Sequence, residues 1–247
     1  MFQPRGGGKR QAPTFDVIAP GIAKHEEEIV LAPGADPKSD PCLALRAAVA
    51  AAEFGLPIAP GTLQNLKSCP IDDRTWNDES RSLFLRLLAS GPALLQVWEE
   101  IDFVDIPGRL IPEWLAIRNR PSASAAHRYT IDRHSVEVVT RLGRETPRGN
   151  RYDDRHYQAL LLAGILHDVG KRPGVADHAA EGARHASMVL KRMGLTVTLF
   201  GGSRCWCVSI LRCRSLRLVR IRMILMLVTS WRLVLIMIRC CLTCCSI

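Results

Sequence analysis

Between residues 41 and 195 the apolar positions recur at three- and four-residue intervals, the spacing of one buried face on a helix. The run PCLALRAAVAAAEFGL (41–56) has a proline near its start, is rich in alanine and ends on a glycine, which predicts a helix of about three turns. DESRSLFLRLLASG has an acidic first turn and a terminal glycine. PALLQVWEEIDFV then opens with proline, as a first helical residue can, so the two segments predict a helical hairpin. GRLIPEWLAIRNRPSAS predicts a short helix running into a polar Pro/Ser linker. From His127 onward three more helices are expected. In YTIDRHSVEVVTRLGRE, Ile131, Val138 and Leu142 fall on one side, with His134 and Val139 within reach of the same face. RHYQALLLAGILHDVGK is apolar nearly all round, as a central buried helix is, and VADHAAEGARHASMVLKRMGL is amphipathic and closes on Gly194. Residues 1–40 break the pattern. They are Gly/Pro-rich and punctuated, and read as mostly irregular with one short extended stretch at EEIVLAPGADP. The expected fold is therefore all-α, and no internal repeat is visible.

Composition changes this picture mainly at the C-terminal end. The chain has 247 residues and 47% apolar content, enough for a real core in one or two domains. The net charge of +9 suggests nucleic acid until it is located: from Gly201 to Ile247 there are eight arginines and no Lys, Asp, Glu or His, so residues 1–200 are nearly neutral. Cysteine divides in the same way. Cys42 and Cys69 stand alone in the body while seven fall between Cys205 and Cys245, so the body reads as a reduced, cytoplasmic protein. MFQPRGGGKR carries positive charge but no apolar h-region follows it, so no secretory signal is expected.

The candidate chemistry lies in LLAGILHDVGK (161–171), where a buried helix stops on an adjacent His167–Asp168 pair followed by Gly170 and Lys171. Imidazole nitrogens and a carboxylate oxygen are ligands that a divalent ion accepts. His134, facing the same cavity across a helix pair, would complete such a group, and Gly170 supplies the irregular backbone that lets two neighbours share an ion. His178, at the start of the next helix, is placed to reach the same cavity or a second metal. A site of this kind activates water and clamps a phosphate, suiting phosphoester hydrolysis. Lys171 would neutralise the phosphate. Each residue alone has an ordinary reading: His167 as a helix C-cap, His134 as a satisfied half-buried histidine, His127, His156 and His185 as surface residues, and Asp132 as a helix-start acid. It is the spacing of His, His-Asp and a further His that makes the metal reading specific.

HRYTIDRHSVEVV, AGILHDVGKRPGVADHAAEGA and the upstream GRLIPEWLAIRNR resemble the HD-type phosphohydrolase domain and preceding linker of the bifunctional PII uridylyltransferase/uridylyl-removing enzymes. EEIVLAPGADPKSDPCLALRAAVAAAEFGLPIAPGTL is similar to their helical linker, and the resemblance runs over about residues 15–195. In that family a nucleotidyltransferase domain attaches a nucleotide to a tyrosine of the nitrogen-signalling PII protein, and the HD domain removes it; some relatives use adenylyl groups. The resemblance implies a divalent metal, Mg or Mn, held by His134, His167 and Asp168, with His178 matching the histidine of the following motif. Asp168 and Lys171 are the candidate catalytic residues. It implies PII as partner, with neither nucleic acid nor membrane. The family's transferase signature and C-terminal ACT domains have no counterpart here, and after Leu195 the further histidine and aspartate ligands of the family are absent from the chain. Little or no hydrolysis is therefore expected. A non-catalytic, partner-binding remnant and an HD hydrolase of free nucleotides are the alternative readings.

Four readings of residues 199–247 stand open. MILMLVTSW and LVLIMI are interrupted by Arg232 and Arg239 and fall short of the ~20 apolar residues of a membrane span. CCLTCC lacks the spacing of a second zinc knuckle, and arginines set among Leu and Ile lack the solvated character of a nucleic-acid arm. The fourth reading ranks first: translation in a shifted frame. CWCVSILRCR can be encoded so that reading from the third base of the Cys205 codon gives Leu-Val-Arg-Glu-His-Leu-Ala-Leu-Pro, restoring the REHL helix of the family. RMILMLVTSWRLVLIMIRCCLTCCS gives DDPDVGDELASRVDHDPLLLDMLF at the same offset. The expected organisation is an irregular segment (1–40), a helical linker (41–125), an incomplete HD-type bundle (126–198) and an aberrant, out-of-frame tail (199–247).

Overall fold

The computed structural model describes residues 14–122, 129–145 and 155–195. The tail at 199–247 and His127 lie outside the described residues, as does the side chain of His156.

The N-terminal segment contains the extended stretch expected at EEIVLAPGADP and, beyond that expectation, two further strands. It forms an antiparallel three-stranded meander, β1 (Asp16–Ala19), β2 (Ile22–His25) and β3 (Glu28–Leu31), in which Asp16 pairs with Lys24 and Ile22 with Leu31. Each strand is only four residues long, too short for alternation to show against the turn residues around it. Ile22, Ala23 and Ile29 are buried and join the core beneath helix α1 (Leu43–Phe54). Ile29 also exchanges backbone hydrogen bonds with Pro57 and Ala59, tying the meander to the start of α2 (Pro60–Leu66), a short helix opened by its proline that periodicity does not reveal.

The other linker helices follow the apolar pattern. α1 ends at Gly55, and the expected hairpin is α3 (Asp78–Leu88) and α4 (Ala93–Phe103). α3 begins with a capping box in which Asn77 and Ser80 each accept the other's backbone N–H. The expected short helix divides into α5 (Ile106–Leu110) and a 3-10 turn, Pro112–Ala116, because Pro112 cannot continue the α5 hydrogen bonding. Trp76, Phe84, Trp98 and Trp114 form a chain of edge-on and tilted ring contacts through the middle of this layer.

α6 (Ile131–Glu145), α7 (Arg155–Leu166) and α8 (His178–Arg192) are the three helices expected after His127. α7 is buried at Tyr157, Leu160, Leu161, Leu162, Ile165 and Leu166, in keeping with its uniformly apolar sequence. It lies along α6, which also touches the linker: an added β-carbon on Gly143 would stand 2.7 Å from the Cα of Gly91 in the α3–α4 turn. No helix among the described residues is long and apolar enough to cross a membrane.

α8 is fastened to the 3-10 turn by a buried carboxylate. Glu113, 7% exposed, accepts hydrogen bonds from both terminal nitrogens of Arg192, and its backbone carbonyl accepts from Arg172. Burial disfavours the ionised form of Glu113, but the Arg192 guanidinium outweighs it and holds the carboxyl below the usual glutamate range. Glu113→Gln is expected to cost about 3 kcal/mol at neutral pH, the low end for breaking a buried pair, because Arg192 keeps Asp73 at 3.8 Å. Since the folded pKa is depressed, this contribution is complete above the ordinary glutamate pKa of about 4.3 and is lost as pH falls further. Urea denaturation of both proteins at pH 7 and at pH 3.5 should show the difference narrowing at acid pH; a constant difference would contradict the ion-pair assignment.

Candidate metal centre

The end of α7 explains how His167 and Asp168 come to share one small volume. Leu166 is the last helical residue, and the chain then turns tightly: Val169 N–H donates to the Leu166 carbonyl and Lys171 N–H to the Asp168 carbonyl. His167 reaches back along the helix, with Nδ1 2.7 Å from the carbonyl oxygen of Gly164. That oxygen is an acceptor only, so Nδ1 carries a proton, and in the neutral ring Nε2 is the nitrogen left with a lone pair. The imidazole thus caps the helix and, when neutral, has the tautomer that Nε2 coordination of a metal would require.

His134, on the first turns of α6, is 6% exposed and meets His167 with ring centroids 5.2 Å apart at 68°. His134, His167 and Asp168 each offer a donor atom, and these atoms lie within 4.8 Å of one another. His167 Nε2 is 3.4 Å from Asp168 Oδ2, which also accepts from the Lys171 ammonium. Burial opposes charge on both partners of the pair, but each stabilises the other. The Asp168 carboxylate raises the His167 pKa, and His167 and Lys171 hold the Asp168 carboxyl well below the usual carboxylate range. Two imidazoles and one ionised carboxylate form a donor set suited to a first-row divalent ion.

The expected metal ligands therefore converge in three positions out of four. His178 is the first residue of α8 and its side chain is exposed; it stands outside the group of three. Its backbone packs against the site, because a β-carbon on Gly170 would fall inside the contact distance of the His178 carbonyl oxygen and of Gly182 N. Lys171, expected to meet a phosphate, is engaged by Asp168. One ordinary reading needs correction. His185 is buried rather than at the surface, with Nε2 2.7 Å from Glu181, because it lies one turn from Glu181 on the inner face of α8 beside Ala186 and Val189. Asp132 does stand in the first turn of α6, as a helix-start acid; it is buried, and accepts the backbone N–H of Asn119 at 2.8 Å.

No family model matches the chain, and no solved structure matches it. Curated relatives do. The bifunctional uridylyltransferase/uridylyl-removing enzyme of Streptomyces coelicolor is 39% identical over 196 residues, covering 78% of this chain and 22% of that protein. The Mycobacterium tuberculosis enzyme of the same name is 39% identical over 177 residues, covering 71% and 21%. That of Corynebacterium glutamicum is 34% identical over 162 residues, covering 64% and 22%. The chain thus spans about a fifth of the length of these relatives, and over that span it is a homologue of the bifunctional uridylyltransferase/uridylyl-removing enzymes.

Proposed function

We propose that His134, His167 and Asp168 are one part of the metal shell of an HD-type phosphohydrolase domain, and that residues 41–125 are the linker that carries it. The observation behind this reading is the convergence of the three donor groups on one buried point, with the His167 tautomer set by Gly164. When bound, a divalent ion such as Mn or Mg supplies Lewis-acid charge and an activated water. The protein's own contribution is to hold the three ligands and to keep Asp168 ionised through Lys171, which stands ready to exchange that carboxylate for a phosphate oxygen. The complete domain, by its family resemblance, would cleave the nucleotidyl-tyrosine phosphodiester of PII in the cytoplasm.

In this chain residues 196–247 contain no His, Asp or Glu, so they offer no further imidazole or carboxylate to the shell. A three-ligand site leaves much of an octahedral ion's coordination to water, and weak binding with negligible hydrolysis follows. Titration with Mn²⁺ followed by its EPR signal should give a Kd of about 0.1 mM or weaker, and His167→Ala should weaken it roughly tenfold or more, in the range seen for losing part of a metal shell. Binding unaffected by His167→Ala would show that the ion sits elsewhere. Fast cleavage of a model phosphodiester by this chain would overturn the proposed inactivity.

A further inference from the structure

On the side of α6 away from α7, a cavity of about 220 Å³ lies between α4, the 3-10 turn and the start of α6. Three of the residues that line it hold buried side-chain atoms without a hydrogen-bond partner: Asp102 Oδ1, Asp132 Oδ1 and Trp114 Nε1. Asp132 is 7% and Trp114 1% exposed, so bulk water does not satisfy them. Buried polar atoms left unpaired cost about 1–3 kcal/mol each, and three around one hollow mark a place built to receive hydrogen-bonding groups.

Charge decides what kind of group. Arg133 is shared between Glu99 and, at 3.2 Å, Glu137, and Arg118 between Asp102 at 2.9 Å and Asp105 at 3.3 Å. Among the described residues Asp132 has no lysine or arginine partner. Five carboxylates in and around the hollow thus share two guanidinium groups. Burial, followed by the neighbouring charges of Asp132 and Asp105, keeps the Asp102 carboxyl above its ordinary value despite Arg118, as expected where negative charge is in excess. A divalent ion is a poor fit, because His134, His167 and Asp168 are the one group among the described residues whose three donors converge closely enough to hold it. The walls instead include the indoles of Trp98 and Trp114, which meet at 5.2 Å and favour a flat, weakly hydrated cation. The volume equals only about seven waters' share of the liquid, so the ligand must be small.

We propose that this cavity binds a small guanidinium or amidinium compound, whose N–H groups donate to Asp102 and Asp132 while an acceptor on the ligand or a retained water takes the Trp114 indole N–H. The site is independent of the metal centre, which lies on the opposite side of α6. The test is NMR of the ¹⁵N-labelled full chain, following the Trp114 indole resonance, assigned by its loss in Trp114→Phe, during titration with methylguanidinium. A saturable shift with a Kd below about 1 mM is expected, absent with tetramethylammonium or sodium at equal ionic strength. It should weaken at least about tenfold in Asp132→Asn and in Asp102→Asn and persist in His167→Ala. No saturable shift, an equal response to tetramethylammonium, or undiminished binding in the asparagine variants would each overturn the proposal. Should Asp132→Asn fail to fold, Asp102→Asn, whose carboxylate is partly solvent-facing, carries the test.

Discussion

Gly170→Ala will destabilise the protein by about 4 kcal/mol and disable the proposed metal centre, because position 170 is where the turn after His167 and Asp168 meets α8 backbone to backbone. A β-carbon there would stand 2.6 Å from the Cα of Gly182 and closer still to Gly182 N and the His178 carbonyl oxygen. None of these is a side chain able to swing aside, so relief requires α8 to move. Overpacking usually costs about 1–3 kcal/mol, and a clash confined to backbone belongs at or above that range. For a protein of this size the loss corresponds to a fall in Tm of roughly 10 °C. α8 is held at its other end by Glu113 and Arg192, so the strain falls on the turn and displaces His167 and Asp168. Metal affinity should accordingly fall even at temperatures where the chain remains folded. Gly61→Ala is the control: its β-carbon would meet nothing within 4 Å, and in helix α2 it should be neutral or stabilising by up to about 1 kcal/mol. Equal thermal stability of Gly170→Ala and the parent would show that α8 does not seat against the turn.

What could be read from the sequence follows from the range of the forces involved. α1, α3, α4, α6, α7 and α8 declare themselves by periodicity and by end signals such as Gly55 and the acidic first turn of α3, all local. Of the strands only β3 does, as the extended stretch in EEIVL; β1 and β2 do not, because four residues between turns hold too few alternations, and their burial comes from α1, which follows them in the chain. The metal-site residues divide along the same line. His167 and Asp168 share one turn, and His134 sits on the helix that the apolar stripe of α7 must pack against, so their meeting is implied by helix pairing. His178 could not be placed from spacing, since the turn of residues 167–177 determines which way the first residue of α8 faces. The buried state of His185 depends on a single partner one turn away, Glu181, and helical position alone does not distinguish it from a solvated histidine. The cavity beside Asp102, Trp114 and Asp132 draws on three separate segments, and no local pattern announces it.

Moving the reading frame of residues after about 195 to the one that restores Arg-Glu-His-Leu should convert this chain from inert to active. The last turn of α8 is well made: Arg81 donates to the Met193 carbonyl, Gly194 turns with φ +69°, and Leu195 N–H bonds back to Leu190. The sequence that follows in the present frame has eight arginines and seven cysteines between Gly201 and Ile247 and no carboxylate to balance them. Such a segment brings unpaired positive charge into any apolar surface it would cover and adds no imidazole or carboxylate for a metal. With codons that give the shifted readings above, the other frame would supply an acidic, mixed composition with a histidine in Arg-Glu-His-Leu and aspartates beyond it. A protein expressed with the frame moved by one base, and carried on through the following genomic codons, should bind Mn²⁺ at least about 100-fold more tightly than this chain, as completion of a metal shell predicts. It should also cleave bis-p-nitrophenyl phosphate at least about 10³-fold faster, a modest part of the acceleration enzymes commonly reach. Asp168→Asn in that protein should return both quantities to the level of the present chain. If the frame-moved protein folds yet gains neither affinity nor turnover, the three donors are a structural cluster and the hydrolase assignment fails. If the gene, read from genomic DNA across these codons, already carries the shifted frame, the active form is the native one and the tail at 199–247 is not its product.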